Sequence, residues 1–263
     1  MRTTAVRASL VRSRALGLSL LVSALAAAPG GLDAQEMGPL PAAAGRGAFQ
    51  AGWQNLDLGN LNGALTEAGY PAFDEGVFTV GGFGLGSSVR FLIGGEGHGL
   101  ITNEETTAEG TFRTRLSGGY GLFTVGYLAA QGPRWDVYPL VGVGAGGLTM
   151  EIVERSSPTF DDVLDEPARS SRLTTGGFLA SLGVGADLRF GSPHDWRDED
   201  DEDDEEGEGG LLLGLRAGWL WSPGDWQWEL DELNDVAGGP ETNLTGFYIR
   251  VSLGGWGSEG RRR

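Results

Sequence analysis

The segment Phe178–Phe190, FLASLGVGADLRF, alternates so regularly that it predicts a β-strand with two different faces. Its even positions are all apolar, with a phenylalanine at each end, whereas most of its odd positions are small or charged, among them Ser181, Asp187 and Arg189. Successive side chains of a strand point to opposite faces, so one face of this strand is wholly apolar. Soluble sandwiches contain such strands, and so do membrane barrels, whose strands of about ten residues end in aromatic girdles. The rest of the chain decides between these two settings.

The N-terminal region has the layout of a secretory signal peptide. Residues 1–14 carry four arginines and no acid, and residues 15–28 form an unbroken stretch of small and apolar residues. This stretch is short for a transmembrane anchor, which is the alternative interpretation and needs about 20 residues. We therefore expect residues 1–34 to direct export and to be removed. Residues 35–45 are expected to form a short N-terminal segment before the folded region.

The amino-acid composition of the full chain limits the kinds of protein that it can be. It has 47 glycines in 263 residues, no cysteine and a formal net charge of −17. Without cysteine there is no disulfide framework, so stability must come from a core or from a lipid-embedded surface. Glycines inside apolar runs disfavour helices, where each costs about 1 kcal/mol relative to alanine, but they suit the bends of barrel strands. The strong acidity and expected export of the chain argue against nucleic-acid binding, which needs a basic patch. The absence of lysine excludes a phosphate loop of the GxxxxGK[ST] type.

Eight segments with strand character follow one another, separated by turn-forming residues. They cover residues 46–57, 77–86, 89–101, 111–128, 135–150, 174–190, 210–221 and 246–256. Eleven residues at ~3.3 Å each, tilted by ~45°, span ~26 Å, which matches the ~25 Å apolar band of outer-membrane barrels. Such barrels alternate short periplasmic turns with longer outer loops, and the links in this chain follow that rule with one exception. The sixth link, residues 191–209, is long and acidic.

Charged residues occupy the faces opposite the apolar ones. The interior of an eight-stranded barrel is only wide enough to be filled by side chains, and charges buried there must be paired. We therefore predict a filled polar lumen without an open diffusion pore, containing a charge network of Arg90, Glu96, His98, Arg113, Arg115, Asp187, Arg189, Arg216 and Arg250. The aromatic residues expected at the membrane interfaces are Phe178, Phe190, Trp219, Trp221 and Phe247.

His98 and Glu96 are the candidates for catalysis. The chain has two histidines, so a Ser–His hydrolase or a histidine metal site would have to use His98 or His194. Glu96 and His98 lie two residues apart on one strand face, where they could form a general base that acts on outer-leaflet lipid. In the alternative that we favour, Glu96 is structural and pairs with Arg115 across the third and fourth strands. No cofactor and no defined metal site are predicted.

The segment Asp198–Glu208, DEDDEDDEEGE, has ten acids in eleven positions. Such a run repels itself and stays flexible, and it lacks the fixed glycine and terminal glutamate spacing of an EF-hand loop. Residues 191–209 are therefore expected to form a solvated turn. Weak attraction of Ca²⁺ or Mg²⁺ is the alternative role for this segment.

The signal peptide, the eight alternating segments and the near-terminal strand GFYIRVSLGGW together resemble the small outer-membrane β-barrels of the OmpA-barrel, OmpX and OmpW type. The resemblance covers residues 46–256 and implies an all-β, eight-stranded antiparallel up-and-down transmembrane barrel in the bacterial outer membrane. It also implies outer-membrane lipid and the outer-membrane assembly machinery as partners. Gly246, Ile249 and Val251 have spacings similar to the assembly signal of such proteins. The chain departs from that pattern because residues 257–263 form a tail after Trp256.

These observations predict an outer-membrane barrel with a structural, surface-interaction or small-solute-related role and without catalysis. Two alternatives remain open at this stage. One is an outer-leaflet lipid-modifying barrel enzyme that uses His98 and Glu96. The other is a soluble periplasmic β-barrel that binds an apolar ligand.

Overall fold

The computed structural model describes residues 44–102, 104–107, 112–154, 170–191, 208–224, 226–230 and 234–258. The predicted signal peptide, His194, nearly all of the acidic turn and most of the C-terminal tail lie outside the described residues.

Eight long strands form the body of the molecule. In chain order, β1 to β8 are Ala44–Asn55, Gly76–Ser88, Phe91–Ile101, Phe112–Tyr127, Trp135–Glu154, Ser170–Phe190, Glu208–Trp221 and Gly246–Ser258. Each strand pairs antiparallel with the next, and β1 pairs with β8 from Ala44 opposite Ser258 to Gln54 opposite Tyr248. The sheet is therefore closed, which confirms the predicted eight-stranded antiparallel up-and-down barrel.

The observed strands begin and end close to the predicted positions, but the first tight turn is displaced. The sequence pattern put Ser87–Ser88 in the link and Val89 in the next strand. In the structure Ser88 pairs with Phe91, so that Val89 and Arg90 form the turn. Val89 has a φ of 57°, which is unusual for a β-branched residue and explains why its strand propensity misled the prediction.

The two ends of the barrel differ. We call the end with the Val89–Arg90 turn and both barrel termini the turn end. The opposite end, where the links from β1 to β2 and from β7 to β8 lie, is the loop end. The strands β4, β5 and β6 extend past the rest of the barrel at the loop end. Three short strands, Glu104–Thr106, Trp228–Leu230 and Asn234–Val236, continue this extension on either side, and we call the whole the projecting sheet. At the turn end, the short strand Ala130–Gln131 pairs with β5.

The outer surface of the barrel is apolar. The segment Phe178–Phe190 places its even residues outward, with Phe178 52% and Phe190 46% exposed, and buries Asp187 inside. Exposed aromatic residues form two groups on this surface, one on β3 to β6 near the turn end and one on β6 to β8, β1 and β2 near the loop end. The turn-end girdle contains Phe91, Tyr127, Trp135 and Phe190, and the loop-end girdle contains Trp53, Phe78, Phe178, Trp219, Trp221 and Phe247.

The two girdles are separated by the thickness of a bilayer. Along β5, Trp135 belongs to the turn-end girdle, and Ala145 pairs with Phe178 of the loop-end girdle. The ten residue-to-residue steps from Trp135 to Ala145, at ~3.3 Å each and tilted by ~45°, span ~23 Å, close to the ~25 Å apolar band of outer-membrane barrels. A closed barrel with an apolar belt between aromatic girdles has the surface of a transmembrane β-barrel.

Apolar residues from the loops close the loop end. The helix α1, Gly59–Glu67, follows β1 and buries Leu61 and Leu65, two of the residues whose helical spacing the sequence shows. Asn62 holds the following segment against the helix, because its side-chain amide both donates to and accepts from the backbone of Phe73. The resulting apolar cap consists of Leu56, Leu58, Leu61, Leu65, Phe73, Trp226, Trp228 and Leu244. None of the helices among the described residues has the length and hydropathy needed to cross a membrane.

Inward-facing glycines make room for large side chains in the lumen. The Tyr138 ring lies over Gly185, and the Tyr248 hydroxyl lies against both Gly183 and Gly218. Bulky rings and bare backbone therefore alternate around the wall, as dense packing of a narrow interior requires. The high glycine content follows in part from this need for space.

A matched pair of alanine substitutions tests the role of these glycines. In Gly185→Ala the new Cβ would stand 2.3 Å from the Tyr138 ring, and we expect overpacking to lower the free energy of unfolding by about 1–3 kcal/mol. The control is Gly84→Ala, whose Cβ would have nothing within 4 Å and which we expect to be neutral or slightly stabilising. Urea midpoints of the detergent-folded proteins provide the measurement, and equal losses in the two variants would contradict this account.

Candidate functional site: the polar lumen

The middle of the lumen contains a cluster of four polar side chains from β3, β7 and β8, which we call the central cluster. Glu96 lies between two arginines, with its Oε2 atom 3.1 Å from Arg216 Nη1 and its Oε1 atom 3.6 Å from Arg250 Nη1. Arg250 Nη1 also donates to His98 Nε2 at 3.2 Å. Both arginines are 1% exposed, so these contacts replace water almost completely.

Aromatic rings support the two central arginines. The Arg216 guanidinium lies 3.5 Å from the centroid of the Phe83 ring, and that of Arg250 lies 3.8 Å from the Tyr248 centroid. Arg250 also donates to the Tyr120 hydroxyl. Cation–π contacts of this kind gain strength away from water, so the rings offset part of the desolvation of the guanidinium groups.

A second group of charges lies nearer the turn end, and we call it the turn-end cluster. Arg46 Nη1 contacts Asp187 Oδ2 at 2.9 Å and Asp136 Oδ2 at 3.1 Å. Arg189 Nη2 contacts Asp136 Oδ1 at 3.2 Å. The Tyr138 hydroxyl donates to Asp187 Oδ2 at 2.7 Å and accepts from Arg216 Nη2 at 3.4 Å. Tyr138 therefore joins the two clusters.

The structure brings six of the nine predicted network residues into these clusters. Glu96, His98, Arg216 and Arg250 meet in the central cluster, whereas Asp187 and Arg189 belong to the turn-end cluster. The predicted interface aromatics Phe178, Phe190, Trp219, Trp221 and Phe247 are all exposed on the outer surface.

Three predicted members of the network lie elsewhere. Arg90 is in the turn between β2 and β3, outside the strand in which the sequence pattern put it. Arg113 and Arg115 are exposed on the outer face of the projecting sheet, and the expected pair of Arg115 with Glu96 does not form. Arg115 is opposite Glu104 and Glu151 in the sheet, whereas Leu122 is opposite Glu96.

The physical reason is that β4 continues past the apolar belt. Beyond the belt the outward face meets water, and the inward face packs against the apolar cap, as Leu116 does. The rule that polar residues point inward therefore reverses along a single strand. A prediction that applies one rule to the whole strand assigns Arg113 and Arg115 to the wrong side.

The sequence analysis missed half of the turn-end cluster. Arg46 is the third residue of β1 and Asp136 is the second residue of β5, so the alternation has few preceding neighbours to establish its phase. The run Asp136, Tyr138, Leu140 has a constant parity, and all three side chains are buried inside the barrel. That parity was the available signal, but the apolar character of Leu140 obscured it. Tyr138 was missed for the same reason, because it shares its face of the strand with the apolar Leu140.

The central cluster contains His98 and Glu96, the two residues of the candidate catalytic dyad. Both side chains are engaged by arginines inside the barrel, and His98 is 5% exposed. The apolar cap lies between this cluster and the loop end. Among the residues that the structure describes, no group of three or more histidine, aspartate or glutamate side chains could hold a metal ion. The acidic segment Asp198–Glu208, the alternative site for weak Ca²⁺ or Mg²⁺ binding, lies outside the described residues except for Glu208.

No protein-family model and no curated protein sequence matches this chain. The solved structures that are similar to this chain in fold include three at 8% or 9% sequence identity. Ail, the attachment invasion locus protein of Yersinia pestis, is 9% identical, covers 84% of this chain and 99% of its own, and gives a TM-score of 0.36. The outer membrane protease OmpT of Escherichia coli is 9% identical, with 86% and 99% coverage and a TM-score of 0.32. The transport unit of the Escherichia coli autotransporter AIDA-I is 8% identical, with 93% and 98% coverage and a TM-score of 0.28.

The buried carboxylate of Glu96 offers a direct test of the lumen network. Glu96→Gln leaves Arg216 and Arg250 buried without an anionic partner, and we expect a loss of about 3–5 kcal/mol in unfolding free energy. The control, Glu151→Gln, removes an exposed pair in which Arg172 Nη2 lies 2.6 Å from Glu151 Oε1, and its expected loss is at most about 1 kcal/mol. Urea unfolding followed by tryptophan fluorescence compares the two variants. A loss in Glu96→Gln no larger than that in the control would show that the network is not required for stability.

Proposed function

We propose that this protein is an exported barrel of the bacterial outer membrane that serves surface interaction and does not catalyse a reaction. The proposal rests on the contrast between the filled lumen of the barrel and the projecting sheet outside it. The lumen is filled by two charge clusters and covered by the apolar cap, whereas the projecting sheet extends beyond the apolar belt at the loop end.

The proposed orientation places the turn end in the periplasm and the loop end outside the cell. In outer-membrane barrels the short turns are periplasmic and the longer loops are external. The expected export signal in residues 1–34 supports the same compartment. With this orientation the apolar cap and the projecting sheet face the medium.

The outer face of the projecting sheet carries charges of both signs at one level. Cross-strand pairing aligns Glu104 with Arg115, Arg115 with Glu151, and Glu151 with Arg172, so that acidic and basic side chains alternate over four strands. Opposite charges on neighbouring strands stabilise a sheet by about 0.2–1 kcal/mol per pair. Arg113 adds an exposed contact with Glu104 at 3.4 Å. These side chains give the projecting sheet a charged outer surface suited to contact with other macromolecules.

The sealed lumen argues against solute passage, and the buried His98 argues against lipid chemistry at the outer leaflet. A general base must come within hydrogen-bond reach of the group it deprotonates, whereas His98 is 5% exposed and its Nε2 atom is engaged by Arg250. We expect His98→Ala to leave the lipid A composition of the cell unchanged. A changed lipid A profile in that variant would favour the enzyme alternative.

Membrane placement can be tested through the exposed tryptophans. We expect the folded protein to require detergent for extraction, to migrate differently on gels before and after heating, and to be quenched by brominated lipid. Replacing Trp219 and Trp221 by leucine should remove much of that quenching, because these side chains are 48% and 54% exposed in the loop-end girdle. Replacing the buried Trp226 and Trp228 of the cap is the control and should leave quenching by membrane-embedded bromine unchanged. Release into the soluble fraction without detergent would support the alternative of a soluble periplasmic barrel.

The surface role is tested with the charges of the projecting sheet. Cells that display the protein are compared with cells that display Arg113→Glu, Arg115→Glu and Arg172→Glu together, in cell–cell aggregation and in adhesion to charged surfaces. We expect the triple variant to alter both by several-fold, since the substitutions reverse the exposed cations. The control variant is Val143→Ala, which shortens an outward side chain of the apolar belt and changes no charge. We expect it to behave like the natural protein. Identical behaviour of all three proteins would contradict a role for this surface.

A further inference from the structure

A chain of hydrogen bonds leads from the central cluster into the apolar cap. Arg250 donates to the Tyr120 hydroxyl, and this hydroxyl donates to Gln54 Oε1 at 3.1 Å. Gln54 Nε2 in turn donates to the backbone oxygen of Leu244 at 3.3 Å. Gln54 and Leu244 are both 0% exposed, so these contacts are shielded from bulk water. The polar network of the lumen is therefore bonded directly to the backbone of the cap.

Together with the two charge clusters, this chain forms a continuous series of contacts through the barrel. Tyr138 joins the turn-end cluster to Arg216, and Glu96 joins Arg216 to Arg250. From Arg250 the hydrogen bonds continue to Leu244. The side chains involved come from every long strand except β2. We call these contacts, from Arg189 at the turn end to Leu244 at the loop end, the lumen series.

The two central arginines make the middle of the series a rigid connection. Arg216 contacts Tyr138 on one side and Glu96 on the other. Arg250 contacts Glu96 on one side and Tyr120 on the other. A guanidinium is a planar fork, so a shift at one of its nitrogens moves the others. Both arginines are 1% exposed, and a displacement at one contact is therefore passed on and is not absorbed by water.

The two ends of the lumen series differ in what they touch. At the loop end, Thr245 follows Leu244 and accepts two hydrogen bonds, from the Asp57 amide to its backbone oxygen at 3.1 Å and from the Ser222 amide to its Oγ1 atom at 3.0 Å. Asp57 lies just after β1 and Ser222 just after β7, so this segment fastens the cap to two strands. At the turn end the Arg189 side chain is 23% exposed, and solvent reaches the series there.

We propose that the lumen series couples the cap to the turn-end cluster, so that weakening the charge contacts at the turn end loosens the Leu244 segment at the loop end. The coupling is conformational and requires no transfer of protons or ions. Sites more than about 7–10 Å apart that share no partners normally act independently, whereas members of one network do not. With the orientation proposed above, a change at the periplasmic end of the barrel alters the cap on its outer side.

Hydrogen exchange at the Asp57 and Ser222 amides reports the opening of the cap segment in the detergent-folded, full-length protein. The first variant is Asp136→Asn, which removes the negative charge between Arg46 and Arg189. We expect exchange at both amides to become about two- to tenfold faster, a range that corresponds to the coupling measured within single networks.

A second variant interrupts the series between its two ends. Tyr120→Phe keeps the ring but removes the hydroxyl that connects Arg250 with Gln54. In this background we expect Asp136→Asn to cause no further change at the two amides. The matched control is Leu92→Ala, which removes a fully buried apolar side chain near the turn end and changes no polar contact. It lowers the global stability but should leave the local opening of the cap unchanged.

Faster exchange at the cap in Asp136→Asn, absent from Leu92→Ala and abolished in the Tyr120→Phe background, supports the coupling. Three results overturn it: unchanged exchange in Asp136→Asn, equal acceleration in Leu92→Ala, or the same acceleration with and without the Tyr120 hydroxyl. Heat-modifiable migration verifies that each variant is folded. Arg189→Gln replaces Asp136→Asn if that variant does not fold, since Asp136 then keeps its contact with Arg46. Gln54→Leu likewise replaces Tyr120→Phe.

Discussion

The interior of an eight-stranded barrel is no wider than the side chains that line it, and this limit governs the rest of the structure. Any charge placed inside loses most of its water, so it must find its partners among the few residues across a narrow space. Glu96 meets this condition by contacting two arginines, and Asp187 meets it through Arg46 and Tyr138. The lumen is consequently a connected network. Removing one charged member leaves its partners buried without a compensating charge.

The same limit explains the distribution of glycine and aromatic residues. A large ring on one strand requires bare backbone on the strand beside it, as Tyr138 does at Gly185. The outward-facing Gly84, by contrast, has no neighbour within 4 Å of its Cβ position. The 47 glycines of the chain are therefore not equivalent. Those of the inner wall set the shape of the lumen, whereas some of those outside are free of steric demands from the barrel itself.

The strands, their order and the orientation of most faces could be predicted from the sequence because the alternation of side chains is a local property. Phe178–Phe190 shows this most clearly, since every even residue faces outward as expected. The pairing of charges could not be predicted in the same way. Glu96 and Arg216 are 120 residues apart, and only closure of the barrel brings them together. Alternation shows that both face inward, but it carries no information on which of the inward residues meet.

The position of the membrane surface is the other property that local alternation does not contain. Arg113 and Arg115 have the outward parity of lipid-facing residues in β4, yet they are charged because the strand has already left the apolar belt at that level. The reversal is itself informative, since the level at which outward residues become charged marks the boundary of the belt. Thr149 and Thr174 pair across β5 and β6 just below the level of Glu151 and Arg172, which locates the change within a few residues. The projecting sheet thus begins where the constraint of the lipid ends, and its outer face is free to carry the charges that the lumen can accommodate only in pairs.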